Sequence, residues 1–144
     1  MAHCEVALDL GRTTATRYLE AYCRCSLAQA HFMSGGDVTA ALRDYARGLD
    51  MLYELDERLS MSMYESWFAE MCALSGDVDG ARKHAELALK CRERHQYVGE
   101  VGALRALAMA EAQDAAPDWS RASHYLATAA HLALERGQRP EAAI

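Results

Sequence analysis

Apolar residues recur along this chain at helical spacing, and short polar groups interrupt them at regular intervals. Ala81, Ala85, Ala88 and Leu89 show the pattern most plainly, since together they make one buried stripe of a helix. Carried along the sequence, the pattern predicts a short helix over 2–10 ended by Gly11. A long helix follows, capped by Thr13 or Thr14 and reaching about Ser34. Further helices run from Asp37 to about Leu55, from about Ser60 to Leu74, and from Asp77 to near His95. The last two run from about Val98 to Gln113 and from Pro117-Asp118, where Pro suits a first helical turn, to Gly137. Pro140-Glu141-Ala142-Ala143 reads as one turn of another helix. No strand alternation, low-complexity tract or interdomain linker interrupts the series, so the fold class is all-α, with about seven helices in one domain.

Two of the interruptions repeat a phrase. Ser34-Gly35-Gly36-Asp37-Val38 and Ser75-Gly76-Asp77-Val78 place Gly-Asp-Val forty residues apart. Glycine accepts the left-handed backbone that closes one helix. Aspartate then accepts hydrogen bonds from the free N–H groups opening the next, and its charge suits that positive end. A stop followed by a start, at a period of this size, is the mark of stacked helical repeats.

Composition narrows the function classes. The chain has 144 residues, enough for a sizeable core, and is rich in Ala, Leu, Glu and Arg. It is 51% hydrophobic, yet its mean hydropathy is −0.20. Small Ala positions mixed with charges account for that gap. A net charge of −6 argues against a nucleic-acid partner. No stretch approaches the roughly 18 apolar residues of a membrane span. Five cysteines, an odd number without framework spacing, fit reduced thiols and a cytoplasmic location.

Aligning the repeats brings small residues into register. Leu27-Ala28, Phe68-Ala69 and Leu107-Ala108 match in three first helices; Ala41, Ala81 and Ala122, then Gly48, Ala88 and Ala129, match in three second helices. This resembles the tetratricopeptide repeat, whose motif keeps small residues at corresponding places so that paired helices approach closely. The resemblance departs in period, about forty residues against about 34. It departs also at His31, Cys72 and Glu111, which replace the usual first-helix aromatic, and at Tyr45, Ala85 and Leu126 in the second helices. The third turn has Ala115-Ala116-Pro117-Asp118-Trp119 in place of Gly-Asp-Val.

The resemblance implies a right-handed α-solenoid of antiparallel helix pairs. One domain over 1–144 would hold repeats at about 15–55, 58–96 and 97–137, flanked by partial repeats. Longer repeats of this kind, with Arg-rich helix ends such as Leu134-Glu135-Arg136-Gly137-Gln138-Arg139-Pro140, are similar to the arms of bacterial signalling ATPases. Maltose-regulator-like activators and ATPase–nucleotide cyclase proteins are examples, and their arms sense or dock. This chain contains neither a phosphate-binding Gly-rich loop nor a helix-turn-helix signature. Its end at Ala142-Ala143-Ile144 has three readings: a larger protein continues there, the tail stays outside any helix, or an open repeat pairs with a second copy.

Residue by residue, the resemblance assigns a concave groove to the first helices. It would be lined by Tyr22, Cys25, Gln29 and Phe32, by Met63, Ser66 and Glu70, and by Arg105, Met109 and Gln113. Aromatic and Met side chains offer adaptable apolar contact to a peptide, while Gln29, Glu70 and Arg105 fix its polar groups. Other chemistry is weakly signalled. His84, Cys91 and His95 share one helix face, but residues seven apart lie about 10 Å apart along the axis, so one Zn²⁺ cannot bridge His84 and Cys91; Cys91 with His95 is feasible and would need two further ligands. Cys23-Arg24-Cys25 points its two thiols apart. No nucleophile-elbow, zincin or deaminase motif occurs. The run Lys90-Cys91-Arg92-Glu93-Arg94-His95 is the basic end of a helix. The sequence therefore favours a scaffold that binds a protein or peptide segment, without enzymatic activity, cofactor or metal. An effector-sensing arm of a signalling ATPase or transcription regulator is the alternative.

Overall fold

The computed structural model describes residues 5, 6, 9, 17–94 and 96–137. Among them are six α-helices and no strand: α1 (Arg17–Met33), α2 (Val38–Glu54), α3 (Met61–Ser75), α4 (Val78–Lys90), α5 (Glu100–Gln113) and α6 (Trp119–Glu135). A short 3-10 turn, Cys91–Arg94, follows α4. Of the first expected helix, Glu5, Val6 and Asp9 are described and helical. The Thr13 and Thr14 caps and the helical turn expected at 140–143 lie outside the described residues.

The local chemistry read from the repeated phrase is present in atomic detail. Asp37 accepts from the Ala40 N–H at 3.0 Å, and Asp77 from the Gly80 N–H at 2.9 Å. Gly76 closes α3 at φ +84°, with its N–H on the Ala73 carbonyl and that of Asp77 on the Cys72 carbonyl. This is the left-handed helix closure that glycine favours. Asp118 repeats the cap, accepting from the Arg121 N–H at 2.9 Å. Pro117 consequently sits just before the cap of α6, outside the first turn expected for it.

The other boundary differences have tertiary causes. The helix expected to reach His95 gives way after Lys90 because Gln96 turns back onto the start of α3. Its side chain accepts from the Ser62 N–H at 3.1 Å and donates to the Arg58 carbonyl. Helix α5 starts at Glu100 instead of Val98. Gly99, ahead of it, lies so close to the Ser62 carbonyl that a Cβ there would collide.

Packing follows sequence order. Helix α1 packs on α2, α3 on α4 and α5 on α6, while α3 and α4 both pack on α5, and α2 packs on α3 with a thin contact from α1. Among the described residues, no Cα of α1 or α2 comes within 8 Å of one in α5 or α6. The interior divides accordingly. One cluster gathers Tyr45, Leu49 and Leu52 from α2 with Tyr64, Phe68 and Met71 from α3, over Cys25 and Ala28 of α1. The other, between α3, α4 and α5, is made of Ala69, Ala85, Ala88, Ala103, Ala106 and Leu107. Alanine gives little apolar area per residue but lets helix axes draw together, so this second joint gains by close approach. All nine small positions aligned in the sequence are buried. Gly48 shows why size matters there, since a Cβ would run into the Cys25 sulfur.

Candidate functional site

The helices α1, α3 and α5 carry the ten residues assigned to a groove, and burial divides them. Cys25 is 0% exposed and Ser66 2%. Cys25 points toward α2, with its thiol 3.8 Å from the Tyr45 carbonyl, and Ser66 turns its hydroxyl to the Met63 carbonyl at 2.9 Å. Both are buried in the interior and not at the surface of the expected groove. Tyr22, Phe32, Met63 and Met109 are half-buried against the first core cluster. Gln29 and Glu70 are half-buried, while Arg105 and Gln113 are exposed.

The structure brings some of this set together. Arg105 of α5 reaches Glu70 of α3, Nε to Oε1 at 3.4 Å, across Gly102, whose missing side chain leaves room beside Ser66 and Glu70. Along α1 and α3 the rings of Tyr18, Tyr22, Tyr64 and Trp67 follow one another, with centroids 6.5, 5.4 and 5.4 Å apart. The Tyr22 hydroxyl donates to Glu57 Oε2 at 2.5 Å, fastening the α2–α3 loop to α1. Burial pushes the Tyr22 pKa up, and the bond to Glu57 adds to that. Burial also works to raise the Glu57 carboxyl, but bonds from Tyr22, Leu59 and Ser60 outweigh it and hold the group below the usual range.

A second arrangement was not anticipated from the sequence. On the side formed by the second helices, α2 and α4 flank a cleft of about 340 Å³ floored by Glu65 and Phe68 of α3. Glu65 is 0% exposed. Its Oε1 accepts from the Tyr53 hydroxyl of α2, and its Oε2 lies 2.6 Å from His84 Nδ1 of α4. A carboxylate so far from water is tolerable only with such partners. The Phe68 ring stands edge-on to His84 at 4.6 Å and lies parallel to Tyr45 at 5.1 Å, fixing the floor from both sides. The only signal available in the sequence was a Glu set between Tyr64 and Trp67-Phe68 in a mainly apolar helical stretch.

His84, considered with Cys91 and His95 for metal, is thus engaged with Glu65, and His95 lies outside the described residues. Among the described residues, no group of three His, Cys, Asp or Glu side chains is placed to hold a metal ion. Nor is any described helix long and apolar enough to cross a membrane. Comparison with family models, curated proteins and solved structures finds no match to this chain.

Proposed function

We propose that this chain is a protein-interaction module, a right-handed α-solenoid of tetratricopeptide-like helix pairs that docks a peptide or protein segment along its first helices. The supporting observation is that each helix pair packs only on its neighbour in sequence, so that consecutive pairs share cores without closing around a centre. In this reading Tyr18, Tyr22 and Trp67 supply aromatic anchors, the residue type on which binding energy concentrates. Gln29, Glu70, Arg105 and Gln113 hold the partner's polar groups. No chemistry is required of the site, and the module works in the cytoplasm without a cofactor.

The test is capture of a partner from an extract of the source cells by immobilised protein. Replacing Gln29, Glu70 and Arg105 together by Ala should remove the captured protein while the far-UV circular dichroism stays unchanged. Capture that persists undiminished in the folded triple variant would refute the docking face. A second reading, an effector-sensing arm of a larger signalling protein, is favoured by the cleft between α2 and α4. That cleft joins the first helix pair to the second, where an occupant would alter how the two pairs sit.

A further inference from the structure

The cleft between α2 and α4 has the makings of a binding site for one class of small molecule. Its volume of about 340 Å³ is more than twice the about 150 Å³ that houses benzene in an engineered apolar cavity. Leu49, Phe68 and Leu87 give it apolar walls from three helices. Its polar wall is already organised. Glu65 can only accept when ionised, so His84 Nδ1 carries the proton that points to Oε2 at 2.6 Å. That bond fixes the imidazole and leaves Nε2 as its second polar atom, with no hydrogen-bond partner among the described residues. In the neutral ring Nε2 accepts; in the charged ring it donates. A hydroxyl serves both states.

Charge argues for a neutral occupant. The buried carboxylate is held by its own two donors. At the exposed rim, Asp50 on α2 and Lys83 on α4 oppose one another in sign. Glu65 and Asp50 outweigh Lys83 when the His84 ring is neutral, so an anion is repelled there, while a cation would have to give up its water among the apolar walls with both Glu65 oxygens already engaged.

We propose that this cleft binds a small neutral aromatic compound bearing one hydroxyl, a phenol in chemical class. The ring lies among Leu49, Phe68 and Leu87, and the hydroxyl bonds to His84 Nε2. The inference deepens the sensor reading and is independent of partner docking on the first helices.

The test is a ¹⁵N–¹H NMR titration of the 144-residue protein with 4-ethylphenol, ethylbenzene and 4-ethylbenzoate. Saturable shifts with 4-ethylphenol, centred on Leu49, Phe68 and Leu87, are expected. Ethylbenzene, lacking the hydroxyl, should bind about fivefold to tenfold more weakly, and 4-ethylbenzoate more weakly still. Leu87→Trp should fill the cleft and abolish the shifts while circular dichroism stays that of the parent. The proposal is overturned by absence of saturable shifts in the parent, by equal binding of ethylbenzene, by tightest binding of the carboxylate, or by undiminished binding in Leu87→Trp. The parent titration decides the matter even where that variant fails to fold. Partner capture is unaffected by any of these results, so the two readings fail separately.

Discussion

Removing the carboxylate at position 65 probes the joint between the first two helix pairs. Glu65 holds Tyr53 of α2 and His84 of α4 at once, so Glu65→Ala withdraws two charge-assisted hydrogen bonds, each worth about 1.5–3 kcal/mol. Several effects reduce the sum. Tyr53 is 52% exposed, so its freed hydroxyl turns to water at little cost. The His84 side chain is only 15% exposed and keeps more of its penalty. Against both stands relief from desolvating an anion. The balance is a loss of about 3 kcal/mol, or about 10 °C in Tm for a chain of this length.

Urea unfolding followed by circular dichroism measures the loss, with an unchanged m-value showing that the same surface is exposed. Glu65→Gln keeps the shape but turns an amide N–H₂ toward one of the two donors, and should cost about 1–2 kcal/mol. In a double-mutant cycle with Tyr53→Phe, a coupling of about 1 kcal/mol is expected. A Glu65→Ala protein within about 0.5 kcal/mol of its parent, or a coupling of zero, would refute the claim that this carboxylate ties the helix pairs together.

Other perturbations test other parts of the structure. Ala81 is 0% exposed, so Ala81→Leu should overpack the core by about 1–3 kcal/mol, read from the urea midpoint; a variant as stable as the parent would mean the helix faces are misphased. Burial pushes the Cys25 and Cys72 thiols from 9.0 up to about 12. The unfolded chain therefore loses those protons first, and the stability they contribute below about pH 9 falls as pH rises toward 12. The urea midpoint should drop between pH 8 and about 10.5, and drop less in a Cys25→Ala, Cys72→Ala protein; equal drops would contradict the assignment. Both thiols should also resist a thiol reagent at about pH 8 until the protein unfolds.

What could be read from the residues alone was what neighbouring residues decide. Asp37 and Asp77 cap because a carboxylate three residues ahead of a free N–H finds it with no help from the rest of the chain. The small positions were legible for a related reason. A stripe of Ala81, Ala85 and Ala88 can serve only close packing, and all three are buried.

Distant partners decided the rest. Nothing near Gln96 in sequence says that it reaches Arg58 and Ser62, and that grip turns the end of α4 into a 3-10 turn. Glu65 stands among residues that offer it no partner, and its burial makes sense only with Tyr53 and His84 beside it. Cys25 and Ser66 are buried where the sequence pattern places them on a groove face. Each lies against a glycine of another helix, Cys25 beside Gly48 of α2 and Ser66 beside Gly102 of α5, and no local pattern announces either contact.

The proposed role requires that the first helices be the face that receives a partner. Hydrogen exchange on the captured complex tests this most directly, with the free protein as reference. Protection gained along α1, α3 and α5 around Gln29, Glu70 and Arg105, with α2, α4 and α6 unchanged, is the predicted result. Protection confined to the second helices, or spread evenly over all six, would contradict it.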